Sequence, residues 1–168
     1  MIEPSTSLVQ QNAAIEKSLQ SAKRICEKQG VRLTPLRKQV LTILLEHSKP
    51  RGAYQLMDLL EQCSERERVA PPTVYRALDF LLEHRLIHKI HSLNAFVANA
   101  NPLRQDSSVI LICVVCGAAE EVPNNSIQQA INLSASQHRF SVEKQVIELS
   151  GKCAGCRDAL RDATANKK

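Results

Sequence analysis

The sequence predicts an α+β chain, with an N-terminal winged helix-turn-helix domain and a C-terminal αβ domain closed by a structural zinc site of four cysteines. Three observations carry that expectation. Apolar residues recur at helical spacing in four successive segments before residue 87. Two short strand-like stretches then flank Ser92-Leu93-Asn94, as in a wing hairpin. Beyond them, two Cys-x-x-Cys pairs, Cys113/Cys116 and Cys153/Cys156, share one spacing and bracket 36 residues.

Residues 1–14 read as a tail. Ile15, Leu19, Ala22 and Cys26 then fall on one helical face, and Gly30 is placed to cap the segment. Cys26 reads as a small buried hydrophobe on that helix. Thr34-Pro35 is a helix start: the hydroxyl caps, and proline sits where its missing N–H costs nothing. Leu36, Val40, Ile43, Leu44 and His47 line the second helix until Lys49-Pro50-Arg51-Gly52 interrupts it. Tyr54 to Cys63 forms the third, striped by Leu56, Leu59 and Leu60. Thr73 to Leu86 forms the fourth, with Val74, Leu78, Leu81 and Leu82 inward.

Leu86 to His91 and Ala95 to Val97 are the expected wing strands. Residues 15–98 thus make a DNA-binding domain, 99–108 a linker of turn-forming composition, and 109–168 the zinc-stapled domain. In that last domain Val109 to Val115 is β-branched and strand-like, and Ala118 to Val122 is its hairpin partner. Ser126 to Gln137 alternates at helical spacing, Ser141 to Leu149 reads as a further strand, and a short polar helix ends the chain.

Each Cys-x-x-Cys pair sets two thiolates on a tight turn, able to reach one ion at about 2.3 Å, and two pairs complete a closed tetrahedron. Disulfides, buried apolar thiols and a redox pair are the other readings of these cysteines. The shared spacing and the absence of a secretory signal in the first 15 residues favour zinc in a reducing, cytoplasmic setting. A closed four-sulfur site leaves no position for substrate, so it builds architecture. No apolar run approaches the ~18–20 residues of a membrane span, and neither a membrane nor a small-molecule substrate is expected as partner.

Charge is uneven. Residues 1–105 hold 15 Lys/Arg against 10 Asp/Glu, whereas residues 106–168 hold 7 against 7. A basic front half suits a polyanion. On the fourth helix Arg76, Asp79 and Glu83 face away from the apolar side, with Tyr75 on the flank. A helix entering the major groove reads bases with its first turns, and Arg76 is placed to pair bidentately with guanine. Asp79 and Glu83 would repel phosphate, so only the N-terminal part enters. Tyr54, opening the preceding helix, is a phosphate contact or a core residue.

These stretches resemble the ferric uptake regulator family, and within it the zinc uptake regulator branch. The residues that carry the resemblance are Arg32-Leu33-Thr34-Pro35-Leu36-Arg37, Pro71 through Leu82, His88-Lys89-Ile90, Cys113 to Gly117 and Cys153 to Cys156. It covers about residues 18 to 158. It implies a homodimeric repressor that clamps double-stranded, palindromic operator DNA and silences zinc-uptake genes when regulatory zinc is bound. It makes the C-terminal domain the dimerisation domain and places Thr73, Tyr75 and Arg76 on the recognition helix. Tyr54 then faces DNA, and Cys113, Cys116, Cys153 and Cys156 hold structural zinc.

The resemblance also implies a second, sensing zinc held by His, Cys, His and Glu. His88 and Glu121 match two of these, but Asn99 stands at the cysteine position and Asp106 near the second histidine. Two readings stand: His88, Asp106 and Glu121, with His91, hold a regulatory metal through nitrogen and oxygen donors, or the sensor is degenerate. A regulator of the same family answering another metal or peroxide is the neighbouring alternative. A zinc enzyme is not expected: His84 and His88 have His-x-x-x-His spacing, but Arg85 stands where a metalloprotease needs its glutamate base. A protein-interaction module built on the winged helix would be betrayed by failure to bind any operator.

Overall fold

The computed structural model describes residues 4–47, 49–63, 69–103, 108–123, 125–143 and 145–165. The chain divides into two compact units, Met1–Leu103 and Arg104–Lys168.

Among its described residues the first unit holds four helices, α1 (Pro4–Lys28), α2 (Pro35–Glu46), α3 (Ala53–Cys63) and α4 (Pro71–Glu83), and a hairpin, β1 (Ile87–Ile90) and β2 (Ala95–Ala98). Helix α1 corrects the expected tail. Neither glycine nor proline interrupts Ser5 to Lys28, so the helix runs on from Pro4. It ends at Gly30 (φ +69°) in a Schellman turn, with Val31 N–H donating to Cys26 O at 2.9 Å and Gly30 N–H to Glu27 O at 3.1 Å. Thr34 caps α2, its Oγ1 accepting from Arg37 N at 3.5 Å. Helix α3 starts with half a capping box, Gln55 Oε1 accepting from the Gly52 N–H at 3.0 Å.

Helix α4 begins two residues earlier than expected, because Pro71 and Pro72 occupy the first positions, where helices tolerate proline. It also stops three residues earlier. Arg85 adopts φ 55°, and Leu86 N–H turns back to Leu81 O at 2.8 Å. The helices close on one aliphatic core that includes Leu19, Cys26, Val40, Leu44, Leu56, Leu60, Val74, Leu78 and Leu81. Burial pushes the Cys26 thiol pKa up, opposed by the nearby Arg37 charge, so it packs as a neutral group. The hairpin pairs Ile87 with Ala98 and Ile90 with Ala95, and Arg51 adds a further antiparallel bridge to Phe96.

The described residues of the second unit form a three-stranded sheet in the order β4-β3-β5, from β3 (Ser108–Cys113), β4 (Ala119–Pro123) and β5 (Ile147–Gly151). Strand β4 runs antiparallel to β3 and β5 parallel, with α5 (Asn125–Gln137) between β4 and β5 in sequence, and α6 (Ala154–Ala165) follows β5. Strand β5 is shorter than the expected Ser141 to Leu149. Its ladder with β3 begins where Val109 meets Ile147. Among the unit's described residues only Val109, Ile110, Ile112 and Cys113 are buried apolar groups, while Leu111, Val114, Val115, Leu133, Phe140, Val146 and Leu149 stay exposed. Among the described residues no helix is long and apolar enough to cross a membrane.

Candidate metal centre and nucleic-acid interface

The sheet brings the two cysteine pairs together. Cys113 closes β3, Cys153 follows β5, and the parallel register sets Cys113 opposite Gly151. The sulfurs of Cys113, Cys116, Cys153 and Cys156 all lie within 4.8 Å of one another. Among the described residues, no other group of metal-ligating side chains gathers so closely. Gly117 (φ +75°) allows the first turn to fold back, its N–H donating to Cys113 O at 2.9 Å.

Backbone N–H groups of Cys116, Cys153 and Val115 point at the Cys113 sulfur and lower its pKa to about 5, so one thiolate is formed in advance. The thiol of Cys153, followed by burial and the other sulfurs, pushes Cys156 up to about 12. Four sulfurs this close cannot all ionise without a cation between them. A closed set of four thiolate donors suits tetrahedral zinc, so the residues fit the metal.

The side chains expected to meet DNA are exposed on the first unit. Val74, Ala77, Leu78 and Leu81 are buried, which turns Thr73 and Arg76 outward on the first turns of α4. Tyr75 is 43% exposed and Tyr54, at the start of α3, 73%, so Tyr54 does not pack in the core. Ala70 gives α4 no side-chain cap and little is left to cap, since Pro71 and Pro72 carry no N–H and the Thr73 N–H donates to Ala70 O at 2.8 Å.

The expected sensing residues are distributed. His88 is half-buried on β1 opposite Val97, and His91 is exposed in the wing turn. Glu121 lies on β4 of the second unit, opposite Ile110. Asp106 falls outside the described residues. Asn99 is buried, and its carboxamide is committed: Nδ2 donates to Arg85 O at 2.8 Å, and Oδ1 accepts from Asn101 N at 2.8 Å. A carboxamide so engaged, and neutral besides, does not fit a zinc ligand. The first residues of the expected linker are therefore fastened to the end of α4. The only sequence signal for this was Asn-x-Asn, the pattern of an Asx turn.

The profile of the ferric uptake regulator family matches residues 28–150. The zinc uptake regulation protein of Escherichia coli (strain K12) is 37% identical over 142 residues, covering 84% of this chain and 82% of the relative. A solved zinc uptake regulator complexed with zinc and DNA superposes with a TM-score of 0.82 at 35% identity, over 88% of this chain and 97% of that one. Holo XcZur superposes with a TM-score of 0.75 at 38% identity, covering 83% and 96%.

Proposed function

This chain belongs to the ferric uptake regulator family, and from that premise we propose that it is a zinc-responsive, DNA-binding transcriptional repressor of zinc-uptake genes, working as a cytoplasmic homodimer on a palindromic operator. The observation that carries the reading is the pairing, in one chain, of a four-sulfur centre with a recognition helix that turns Thr73, Tyr75 and Arg76 outward. It is not an enzyme: the closed sulfur set offers no open coordination position, and His84 and His88 lie on different elements, one ending α4 and one in β1.

In this reading α4 enters the major groove by its first turns. Arg76 pairs with a guanine edge, Thr73 and Tyr75 line the same approach, and Tyr54 contacts the backbone from α3. Asp79 and Glu83, exposed further along α4, keep the rest of the helix off the phosphates. Zinc held by Cys113, Cys116, Cys153 and Cys156 supplies the positive charge that lets all four sulfurs ionise together. The second unit, with few buried groups among its described residues and β5 at the edge of its sheet, gains its stability by pairing with a second copy through exposed groups such as Leu111, Val146 and Leu149. Two such copies place two recognition helices on successive major grooves, which a palindrome matches. For the regulatory metal, the reading draws on His88, His91, Asp106 and Glu121, without a thiolate and without Asn99.

The test is selection of duplexes from a randomised pool by the purified protein at buffered free zinc, followed by affinity measurement on the enriched sequence. The expected result is a palindrome whose affinity tightens with zinc and falls steeply with salt. Failure to enrich any sequence at any zinc level would overturn the reading, and zinc-independent affinity would leave a family regulator with a degenerate sensor.

A further inference from the structure

Asn99 is the buried polar residue among the described side chains, at 8% exposure, and it ties together three parts of the DNA-reading unit. Its Nδ2 donates to Arg85 O, in the left-handed turn that ends α4. Its backbone N–H donates to Leu86 O at 3.0 Å, at the start of the wing. Its Oδ1 accepts from Asn101 N, in the segment that leaves β2. Arg85 O lies two residues past the end of α4, in the turn that Arg85 makes at φ 55°, and its bond to Asn99 is part-buried. A single carboxamide thus links the α4 turn to the departing chain.

We propose that Asn99 is a positioning residue for DNA reading, a hydrogen-bonded clamp that fixes the wing and the departing chain to the end of the recognition helix without any metal. The angle between α4 and the wing decides whether Arg76 reaches a base while the wing lies along the backbone. Losing the clamp therefore loosens the specific docking geometry more than it weakens general attraction to phosphate. The inference rests on the DNA-reading function proposed above and names what holds its geometry.

Asn99→Ala removes both side-chain bonds. Asn99→Asp keeps the acceptor for Asn101 N but sets an anionic oxygen against Arg85 O. The measurements are affinity for a duplex selected by the unmodified protein, affinity for a scrambled duplex of the same composition, circular dichroism at the same temperature, and amide exchange. With folded protein throughout, both variants are expected to lose tenfold or more on the selected duplex and less than threefold on the scrambled one. Exchange should quicken at Leu86 and Asn101 and stay unchanged in the α2 core. An equal loss on both duplexes, or no loss, overturns the clamp, because a merely structural residue would not move the ratio. If no duplex can be selected, the repressor reading fails by itself. The clamp is then decided by exchange, and unchanged protection at Leu86 and Asn101 overturns it.

Discussion

The backbone N–H of Cys153 lies 3.4 Å from the Sγ of Cys113, two residues 40 positions apart. That contact ties the chain after β5 to the end of β3 and closes the C-terminal unit. Magnitudes say how much of this unit depends on the sulfur centre. Its three buried aliphatic residues, Val109, Ile110 and Ile112, contribute about 1.5–3 kcal/mol each, whereas a structural zinc site contributes on the order of 10–16 kcal/mol at neutral pH. Cys153→Ser should therefore abolish the unit's fold. We expect zinc content to fall by one per chain, and the dimer to dissociate in sedimentation while the helical signal of the first unit persists. A zinc-replete dimer in that variant would contradict the assignment.

Proton linkage at the centre has a defined sign. In the metal-free chain, the lowered Cys113 pKa contributes stability that is complete above the ordinary thiol value of 9.0 and is lost as pH falls through about 5. The raised Cys156 pKa contributes stability that is complete below 9.0 and is lost as pH rises through about 12. At pH 7 Cys113 is already a thiolate and Cys156 still a thiol. Zinc uptake at pH 7 should therefore release fewer than four protons, one of them from Cys156, and apparent affinity should rise with pH. Calorimetric titration in buffers of different ionisation enthalpy counts those protons, and release of four would contradict the preformed thiolate.

The helices and the cysteine centre were legible because their signals are local. Thr34-Pro35 caps α2 and Gly30 ends α1 as their chemistry dictates, and the Cys-x-x-Cys turns need only their own residues to present sulfur. Strand β5 was not legible at its start, since its register is set by β3, whose Val109 lies 38 positions before Ile147. The role of Asn99 was hidden for the same reason: its partner, Arg85 O, is 14 positions away and is brought close only by the α4 turn. The cation stack of Arg37 over Phe80, 3.5 Å from the ring centroid, likewise joins α2 to α4 and leaves no trace in either segment alone.

Arg76 stands on the exposed side of α4, away from the packed Val74 and Leu78. Arg76→Ala is expected to cost about 1–3 kcal/mol in operator binding and to relax base preference at one position per half-site. Stability should shift by no more than about 0.5 kcal/mol, as for other surface changes. Arg76→Lys keeps the charge but not the paired donors, so it should retain affinity for random duplex while losing discrimination. Comparing enriched sequences for the three proteins checks this, and an unchanged consensus for Arg76→Ala would place the arginine on the backbone.

Arg85 carries φ 55° at the turn that ends α4, a conformation costing a side-chain-bearing residue roughly 1–2 kcal/mol relative to the right-handed region. Glycine adopts it without that cost but adds freedom to the unfolded chain, so the two effects partly offset. The side chain of Arg85 is exposed, and its contribution to the Asn99 clamp comes from its carbonyl, which glycine retains. Arg85→Gly is accordingly expected to stabilise the first unit by about 0.5–1 kcal/mol in urea titration, with the selected-duplex affinity held within about twofold in moderate salt. Destabilisation would mean that the arginine side chain contributes packing beyond its backbone. A large loss of affinity would mean that its charge reaches the DNA.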